Sequence, residues 1–564
     1  MENSEVAKVL YEIADILEVQ GVEFKPSAYR NAARQIEFMS ERIESLAKQG
    51  KLQEIEGVGK AIAEKITELM ETGHLKYLDE LKKQVPIDVE GLMSVPGIGP
   101  KKVKLLYEKL KITNISELED AAKKQKIRSL EGLGEKTERE ILENLEFQKK
   151  SKQRYLLGDA VAISDKIVAE LRQHADRIAV AGSLRRMADT IGDIDILATS
   201  RKRAELVESF AGLKEVEKVS AKGDTKCSAR MKNGLQVDLR IIEEKSWGSG
   251  LNYFTGSKEH NIALRRIAVS KGLKLSEYGL FDKRKSIAGK TEEGIYNRLG
   301  MNYIEPELRE NRGEVEASQQ GKLPKLVGYD AIKGDLQIHT NWSDGLNTIE
   351  EMTEKAKNLG YEYIGITDHA GSMAVANSLN EKRVLEQQIE IRQAEKKTGI
   401  RILHGLEVNI KDDGNLDMKD KALEKVDYVI AAIHSGFKNT REKMTNRICK
   451  ALENKHVRML AHPTGRLIDK RPGYDLDLEK VFEKARETGK FLEINSHPSR
   501  LDLSDTNTRA AIEHGIRMLI NTDSHTKETM DNMRFGIATA RRAWCEKKDV
   551  LNSLPLKKFD KEFL

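Results

Sequence analysis

The chain has 564 residues, one third of them charged, and a formal net charge of only +5. This length predicts several domains, each with room for a core, and the weak basicity means that any nucleic-acid contact depends on local patches. The three cysteines, Cys227, Cys449 and Cys545, follow no disulfide or zinc spacing, and the chain has neither an export signal nor a long apolar run. These features exclude a disulfide framework, a cysteine zinc site and a membrane span, and we expect a cytoplasmic protein.

The first 150 residues have the apolar spacing of helices. Val6, Leu10 and Ile13 recur at intervals of three and four residues, and Ile43 and Leu46 do so later. This periodicity is typical of amphipathic helices. We therefore predict an all-helical first domain over residues 1–80, followed by a further region over residues 81–150.

Three Gly-x-Gly turns interrupt this helical region, each with an apolar residue between the glycines. The pairs are Gly57 and Gly59, Gly97 and Gly99, and Gly132 and Gly134. A glycine turn that opens a helix exposes backbone N–H groups to an anion. One such turn is more often a plain helix cap, but the three copies resemble helix-hairpin-helix elements, which hold the DNA backbone without reading its sequence. The third has Glu135 where the first has Lys60, so a purely structural role for it stays open.

Two lysines in this region are candidates for contact with a DNA end. Lys65 follows the first glycine turn by one and a half helical turns, and Lys25 stands close to Tyr29 and Arg30. A charge on a surface helix is usually just solvated. On sequence alone both lysines fit that simpler interpretation, while Lys25 could also flank a 5′-phosphate.

The stretch from Ala179 to Leu197 predicts a strand, a turn and a second strand that carries two carboxylates. Polar and apolar residues alternate in Asp193-Ile194-Asp195-Ile196, so a strand would present both carboxylates on one face. Neighbouring carboxylates repel each other unless a cation such as Mg²⁺ lies between them. Alone, the pair would also suit a turn or a loose cation site.

Two further features make the carboxylate pair more specific. Upstream, Gly182-Ser183 allows close approach of an anion, and Arg185 and Arg186 supply positive charge. Downstream, Asp238 lies on another alternating strand and can come from a neighbour in the same sheet. A Gly-Ser turn, Asp-x-Asp and a distant aspartate are typical of a nucleotidyltransferase palm with a two-metal site, here over residues 151–240.

Residues 241–316 predict an aromatic pair beside a polar helix face. Tyr253 and Phe254 precede a Gly256-Ser257 turn, and the following helix carries Asn261 and Arg265, which share a face because they are four residues apart. This arrangement would suit a sugar and a base pair, although an aromatic pair in a core is an equal alternative. The polar, aperiodic residues 317–334 predict a linker.

From residue 335 short apolar runs alternate with helical patterns, and a polar residue follows each run. Examples are the runs at 363–369, 402–407, 428–434, 458–462, 491–495 and 518–525. A repeated strand, ligand-type residue and helix predict a parallel β/α barrel with its site at the carboxyl ends of the strands. A single histidine there is usually packed or capping, but so many histidines and acids, without cysteine, predict a multinuclear Mn²⁺, Zn²⁺ or Fe²⁺ site for hydrolysis.

Together these residues resemble a DNA polymerase of family X, the family of DNA polymerase beta, in its bacterial form with a carboxy-terminal PHP (polymerase and histidinol phosphatase) domain. The most specific parts are Gly182-Ser183 with Arg186, Asp193-x-Asp195, and Tyr253-Phe254-Thr255-Gly256-Ser257. The resemblance covers essentially the whole chain and implies a multidomain α+β and α/β fold. Its segments are a helical lyase-like DNA-binding domain (1–80), helix-hairpin-helix fingers (81–150), a nucleotidyltransferase palm (151–240), a nucleotide-selecting thumb (241–316), a linker (317–334) and a PHP phosphoesterase barrel (335–564).

The resemblance also assigns roles in the first four segments. It implies that Asp193, Asp195 and Asp238 are catalytic and hold two Mg²⁺ or Mn²⁺ ions. The implied nucleotide-binding residues are Gly182, Ser183, Arg186, Gly192, Tyr253, Phe254, Gly256, Asn261 and Arg265. The implied DNA contacts are Gly57, Gly59, Gly97, Gly99 and Lys25. Lys65 falls where eukaryotic members form a Schiff base with a 5′-deoxyribose phosphate. The chain departs from those members at Ala61, a position often basic there, and at Gln236, where they carry an arginine.

For the barrel, the resemblance implies a set of ligands for two to three Mn²⁺ or Zn²⁺ ions. They are His339, Asp344, His369, Glu407, His434, His462, Asp523 and His525. The usual first motif is His-x-His, whereas this chain has Gln337-Ile338-His339. The implied activity is a Mn²⁺-dependent 3′–5′ exonuclease, with phosphatase or abasic-site cleavage as further activities.

The sequence therefore predicts a repair polymerase that fills short gaps in DNA and trims 3′ ends with its own nuclease. The expected partners are dNTPs and gapped or nicked DNA with a 5′-phosphate, without a membrane, and we expect a monomer. One alternative is a PHP-type phosphoesterase tethered by an inactive front half. Another is a DNA-end binding scaffold with a weak or inactive palm.

Overall fold

The computed structural model describes residues 3–38, 43–55, 57–93, 95, 98–151, 154–373, 376–468 and 470–564. The chain divides into two compact units. The first contains residues 1–153, 230–236 and 258–288, and the second contains residues 154–229, 237–257 and 289–564. The predicted thumb, 241–316, is thus shared between the two units, while the boundaries of the six predicted segments stay a prediction.

The first unit begins with helices, as the apolar spacing predicts. They are α1 (Asn3–Gln20), α2 (Lys25–Phe38), α3 (Ile43–Lys48), α4 (Lys60–Thr72), α5 (Lys76–Gln84), α6 (Val89–Met93), α7 (Pro100–Leu110), α8 (Ile115–Lys123) and α9 (Glu135–Ser151). Their apolar faces form one core, in which Val6, Ile13 and Ile43 are fully buried. Helices α4, α7 and α9 each begin directly after the second glycine of a Gly-x-Gly turn. The prediction that these turns open helices is therefore confirmed.

The palm region follows in chain order. Its elements are β1 (Tyr155–Leu156), α10 (Leu157–Leu171), β2 (Arg177–Val180), α11 (Gly182–Arg185), β3 (Thr190–Ile191), β4 (Asp193–Thr199), α12 (Arg203–Ala211), β5 (Val216–Lys222), β6 (Lys226–Met231), β7 (Gln236–Ile241) and α13 (Trp247–Thr255). Five strands form one sheet in the order β2-β4-β7-β6-β5. Strands β4 and β7 are neighbours, so Asp238 does come from the strand beside the Asp193–Asp195 pair.

Four elements after α13 are grouped with the first unit, and two helices then lead to the barrel. The former are α14 (Lys258–Ser270), β8 (Leu273–Ser276), β9 (Gly279–Asp282) and β10 (Lys285–Ala288), and the latter are α15 (Glu292–Arg298) and α16 (Glu314–Gln319). Strands β8 to β10 form an antiparallel sheet. The predicted linker, 317–334, starts inside α16 and packs against the barrel, because Val327 is buried and its N–H donates to the Cys545 carbonyl.

The carboxy-terminal region alternates strands and helices. Its elements are β11 (Gly334–Ile338), α17 (Ile349–Asn358), β12 (Tyr363–Ile366), β13 (His369–Ala370), α18 (Glu381–Thr398), β14 (Arg401–Asn409), α19 (Asp420–Leu423), β15 (Tyr428–Ala432), α20 (Arg441–Leu452), β16 (Val457–Leu460), α21 (Leu478–Thr488), β17 (Phe491–Asn495), α22 (Asp505–Glu513), β18 (Met518–Asn521), α23 (Met533–Arg542) and α24 (Leu556–Phe563). Helix α17 begins with a common N-terminal capping motif, the capping box of Thr348 and Glu351.

The strands of this region make a nearly closed parallel barrel. Their order is β11-β12-β14-β15-β16-β17-β18, with β13 paired to β14, and a parallel bridge between Ile338 and Ser524 brings the two edges together. Strands buried on both faces favour apolar residues, as in β12 and β15, whereas β11 also buries Asp335 and Gln337. The predicted barrel is confirmed. Among the described residues no helix is long and apolar enough to cross a membrane.

Candidate active sites

The first candidate site is the carboxylate cluster of the palm sheet. Along β4, Asp193 is exposed and Asp195 partly buried, whereas Ile194 and Ile196 are completely buried. The predicted alternation of carboxylates and apolar residues is therefore confirmed. On the neighbouring strand, the Asp238 side chain lies 3.8 Å from Lys226 Nζ. The sheet thus brings the three aspartates together on one side.

Repulsion within this cluster shows in its protonation. Burial, and then the negative charges of Asp193 and Asp238, raise the pKa of Asp195 to about 7. Burial and Asp238 also raise the pKa of Asp193. A divalent cation would replace the proton that this cluster retains, because it neutralises several carboxylates at once. The donor set consists of carboxylate oxygens and suits Mg²⁺ or Mn²⁺.

Without metal ions, the protein should therefore lose stability as the pH rises through the pKa of Asp195. Folding raises the pKa of Asp195 from 3.8 to about 7, so the folded state binds the proton more tightly. The stabilisation that this bound proton gives the folded state is complete below about pH 4, and it is lost as the pH rises to about 7. In the presence of a chelator we expect Asp195→Asn to be stabilised by about 2–4 kcal/mol at pH 8, and progressively less towards pH 4.

Thermal unfolding followed by circular dichroism from pH 4 to pH 8 measures this effect. Asp224→Asn is the matched control, since Asp224 is an exposed aspartate beside the same sheet and should shift the melting temperature at no pH. An equal stabilisation by Asp195→Asn at every pH would contradict the assigned protonation.

The second feature of the palm is the turn that carries Gly182 and Ser183. Gly182 has a φ of +61° and opens the short helix α11. A Cβ atom at this position would lie 2.7 Å from Asp195 Oδ2. The Ala181 N–H also donates to the Asp195 carbonyl at 2.8 Å. Glycine is therefore required here for two reasons, the left-handed backbone and the close approach of a carboxylate.

We expect Gly182→Ala to reduce nucleotide incorporation at least about tenfold. The methyl group would strain the backbone by about 1–2 kcal/mol and displace the carboxylate of Asp195. Steady-state primer extension measures the effect. The control is Gly223→Ala in the same region of the sheet, where a Cβ would meet only the Lys226 carbonyl at 3.8 Å. Equal activity of the two variants would show that this turn tolerates a side chain.

The predicted phosphate ligands lie around this turn. Arg186 Nη1 donates to the Thr255 carbonyl at 2.5 Å, and its Nε lies 3.1 Å from Glu310 Oε1. Ser183 is partly buried, and its carbonyl accepts from the Ala188 N–H at 3.1 Å. Gly192 directly precedes β4, where a Cβ would be 3.4 Å from Arg154 Nη1. Arg186 is thus fixed by the Thr255 carbonyl and the Glu310 side chain, both in the predicted thumb segment.

The predicted sugar and base contacts lie on two helices. Tyr253 and Phe254 end α13 with their rings 5.2 Å apart and nearly perpendicular, and Tyr253 is 38% exposed. Phe254 also lies under the guanidinium of Arg240, 5.2 Å from its ring centre. Gly256 follows α13, and Asn261 and Arg265 occupy successive turns of α14, as the spacing predicts. Tyr253 is thus more exposed than Phe254, and the role of the pair stays a prediction.

The third feature is the His and carboxylate cluster at the carboxyl ends of the barrel strands. Three groups of side chains have ligand atoms within 4.8 Å of one another. They are His339, Asp344, His369 and His525; His369, Glu407 and His434; and His339, Glu407 and Asp523. His462 Nε2 lies 3.2 Å from Glu407 Oε1. The structure thus brings together all eight residues of the predicted ligand set.

Protonation and hydrogen bonding suit this cluster to metal ions. Burial lowers the pKa of His369 to about 4 and also lowers that of His462, so both imidazoles are neutral. Burial opposes ionisation of Glu407, but the surrounding histidines keep its pKa well below the usual value. Buried ring nitrogens of His339, His369, His434 and His462 make no hydrogen bond in the structure. His369 and His462 are thus neutral imidazoles with an unused nitrogen beside the ionised Glu407, which fits divalent ions. At His339 burial opposes protonation, but the neighbouring carboxylates of Asp523 and Glu407 raise the pKa well above its usual value.

Two ligand residues of the cluster have unusual backbone angles, and Gln337 stands where the usual His-x-His motif has its first histidine. His462 and Asp523 have φ angles of +29° and +54°, which are strained for non-glycine residues and common at functional sites. Gln337 Nε2 lies 3.2 Å from Glu407 Oε2 and 3.4 Å from Asp523 Oδ1, while its Oε1 is buried without a partner. The Gln337 side chain thus contacts the two carboxylates of the His339, Glu407 and Asp523 group.

Side chains outside the predicted ligand set orient these ligands. Glu493 accepts from the His462 N–H at 2.8 Å, and Asn495 Nδ2 donates to Asp523 Oδ2 at 3.0 Å. Burial raises the pKa of Glu493 well above its usual value. The cationic Arg500 approaches Asp523 Oδ2 to 3.6 Å. The signal for the first two was their position at the end of β17, where other strands deliver ligands.

In the amino-terminal unit, the glycine turns leave room in front of their helices. A Cβ atom at Gly59 or Gly99 would meet no heavy atom within 4 Å. Gly57 lies opposite α2, 3.5 Å from the Ala32 nitrogen by the same measure, and Gly97 lies outside the described residues. The open space before α4 and α7 would allow another molecule to approach their first backbone amides.

The two candidate lysines of this unit differ in environment. Lys65 Nζ lies 4.6 Å above the ring of Tyr77 and 3.3 Å from the Ala61 carbonyl. Lys25 is exposed at the start of α2. The nearby Arg30 is paired with Asp15 and Glu18.

Comparisons with known proteins agree with this architecture. Family models match a helix-hairpin-helix domain at residues 1–75, a SAM-like helix-hairpin-helix tandem at 89–146, the DNA polymerase beta thumb at 250–310 and a PHP domain at 335–497. Over 565 residues the chain is 38% identical to DNA polymerase/3'-5' exonuclease PolX of Bacillus subtilis (strain 168), a match that covers 99% of this chain and 98% of that protein. The chain belongs to family X of the DNA polymerases.

This family X polymerase also has shorter matches. It is 32% identical over 233 residues to a probable phosphatase of Thermoanaerobacter sp. (strain X514), a match that covers 39% of this chain and 89% of that protein. It is also 34% identical over 200 residues to a probable phosphatase of Acetivibrio thermocellus, with 34% and 78% covered. The predictions of a DNA polymerase with a PHP phosphoesterase domain, of DNA binding and of dependence on divalent metals are confirmed at the level of the family. The roles of the individual site residues stay predictions.

Proposed function

We propose that this family X polymerase fills short gaps during DNA repair and trims 3′ ends with its PHP barrel. The observation that carries the proposal is the presence of two separate ligand clusters. One consists of three carboxylates beside a Gly-Ser turn, which suits nucleotidyl transfer. The other consists of five histidines and three carboxylates, which suits hydrolysis of a phosphate ester.

For synthesis, Asp193, Asp195 and Asp238 would hold two Mg²⁺ or Mn²⁺ ions. When bound, such ions favour ionisation of the primer 3′-hydroxyl and neutralise the triphosphate. The turn at Gly182 and Ser183 would bind the triphosphate through backbone and hydroxyl groups, and Arg186 would add a charge-assisted contact. The remaining nucleotide contacts would be made by Gly192, Tyr253, Phe254, Gly256, Asn261 and Arg265.

For trimming, the eight barrel residues would hold two to three Mn²⁺ or Zn²⁺ ions. Such ions lower the pKa of a water molecule and polarise a phosphodiester. Glu407 would be one of the residues that hold these ions, and its carboxylate contacts histidines on both sides. Glu493 and Asn495 would keep His462 and Asp523 in place. Phosphatase or abasic-site cleavage would use the same ligands.

The amino-terminal unit would hold the DNA backbone. The amides that follow Gly57, Gly59, Gly97 and Gly99 would bind phosphates, and Lys25 would face a 5′-phosphate at the far side of the gap. Lys65 is our candidate for 5′-deoxyribose phosphate removal, since it occupies the position of the Schiff-base lysine in eukaryotic members and is partly exposed. The three cysteines are free, which suits a cytoplasmic location.

A duplex with a one-nucleotide gap tests the proposal. The downstream strand carries a 5′-phosphate, the primer carries a 5′ label, and the reaction contains dNTPs and Mn²⁺. We expect the primer to lengthen by one nucleotide, and to shorten when dNTPs are left out. Neither reaction should occur with a chelator. Shortening alone, with dNTPs present, would reject the gap-filling role and favour a phosphoesterase with an inactive palm.

A further inference from the structure

A buried arginine of the barrel contacts the palm turn from Gly182 to Arg186, which we call the phosphate turn. Arg542, in the last turn of α23, has a side chain only 7% exposed. Its Nη1 donates to the Arg186 carbonyl at 2.8 Å and lies 3.0 Å from Glu310 Oε1. Its Nε and Nη2 contact Asp505 Oδ2 at 3.1 and 3.0 Å. One barrel side chain thus binds the backbone of the turn and two carboxylates.

These contacts belong to a row of alternating charges. The order is Arg186, Glu310, Arg542, Asp505 and Arg312, with N–O distances of 3.0–3.1 Å between successive members. The first four side chains are each less than 20% exposed. Buried pairs are weakly screened, and removal of one partner leaves the other without compensation. A substitution of Arg542 should therefore alter the position of the Arg186 side chain, which is the second residue from it in the row.

A second barrel arginine binds the same segment of the palm at its other end. Arg466 Nη2 lies 2.8 Å from Asp189 Oδ2, and its Nε donates to the Arg500 carbonyl at 2.7 Å. Asp189 follows Arg186 by three residues and precedes Asp193 by four. The segment that joins the phosphate turn to the catalytic strand is thus held by the barrel at two points.

We propose that Arg542 is a positioning residue for nucleotide incorporation. Through Glu310 and the Arg186 carbonyl it fixes the position of Arg186, the proposed ligand of the triphosphate. The barrel is then part of the polymerase site as well as the carrier of the nuclease. This inference rests on the proposed role of Arg186, so the test must separate the two.

The test measures kcat and KM for a dNTP during single-nucleotide gap filling, with the full chain. The variants are Arg542→Gln, Glu310→Gln, the double variant of these two, Arg186→Gln and the matched control Arg541→Gln. Arg541 is the preceding residue of α23 and is similarly buried, but its partner is Glu307, at 2.7 Å. It has no contact with Arg186 among those the structure describes. The exonuclease rate and the melting temperature serve as measures of folding.

We expect Arg542→Gln and Glu310→Gln each to raise the KM for dNTP about tenfold, with the exonuclease rate unchanged and a smaller effect on kcat. Because both act through the same guanidinium, the double variant should be no worse than about the stronger single variant. Arg541→Gln should leave both constants within about twofold. A purely structural role for Arg542 would instead lower stability in both variants of α23 alike and spare the KM.

Three results would overturn the inference. If Arg542→Gln behaves like Arg541→Gln, the barrel does not position the turn. If Arg542→Gln does not fold, Glu310→Gln decides, and an unchanged KM there rejects the row of charges. If Arg186→Gln leaves the KM for dNTP unchanged, the proposed role of Arg186 itself is wrong, and the inference is rejected with it.

Discussion

Asp195→Asn should reduce nucleotide incorporation at least about a thousandfold and leave the exonuclease rate within about twofold of the unchanged protein. The substitution keeps the shape of the side chain but removes one of the three negative charges that would hold the palm ions. Burial, and then the charges of Asp193 and Asp238, raise the pKa of Asp195 to about 7. Asp195 thus interacts with both other carboxylates, and its loss should disrupt the whole cluster.

Primer extension with saturating Mn²⁺ and dNTP measures the first rate, and shortening of the labelled primer without dNTP measures the second. Asp224→Asn makes the same chemical change at an exposed position near the palm sheet and should extend primers normally. Retained extension by Asp195→Asn would mean that the palm cluster does not catalyse the transfer. Parallel loss of both activities would point instead to misfolding.

The local parts of this structure follow directly from the sequence. Alternation along β4 predicts which face carries Asp193 and Asp195, since a strand has a period of two. The repeated pattern of an apolar run followed by histidine or acid predicts the barrel, because parallel strands bring their carboxyl ends to one edge. Each of these predictions needs only a few consecutive residues.

Other parts depend on contacts between distant residues and leave no local signal. Glu310 and Arg542 are 232 positions apart, and each looks like an ordinary surface charge in the sequence. Glu493 looks like a member of a buried strand until the structure shows that it accepts from the His462 backbone. The thumb segment reads as continuous, yet residues 258–288 are grouped with the amino-terminal helices. Such relations are set by the tertiary fold, so spacing alone does not reveal them.

Glu407→Gln should abolish the exonuclease, by about a thousandfold or more, and lower the metal content of the barrel while primer extension persists. Glu407 is 1% exposed, and its Oε1 lies 3.1 Å from His434 Nε2 and 3.2 Å from His462 Nε2. Its Oε2 lies 3.1 Å from His339 Nε2. Glutamine would remove the charge and direct an N–H group at one side of the cluster, where an ion requires a lone pair.

Metal analysis after removal of excess Mn²⁺ separates this explanation from a general loss of structure. The unchanged protein should retain two to three ions in the barrel, and Glu407→Gln should lose at least one of them. Glu483→Gln makes the same change on the exposed face of α21 and should keep both the ions and the exonuclease. If Glu407→Gln keeps its full metal content but loses the exonuclease, Glu407 acts in proton transfer and is not needed to hold the ions. Full retention of both would mean that hydrolysis does not depend on this cluster.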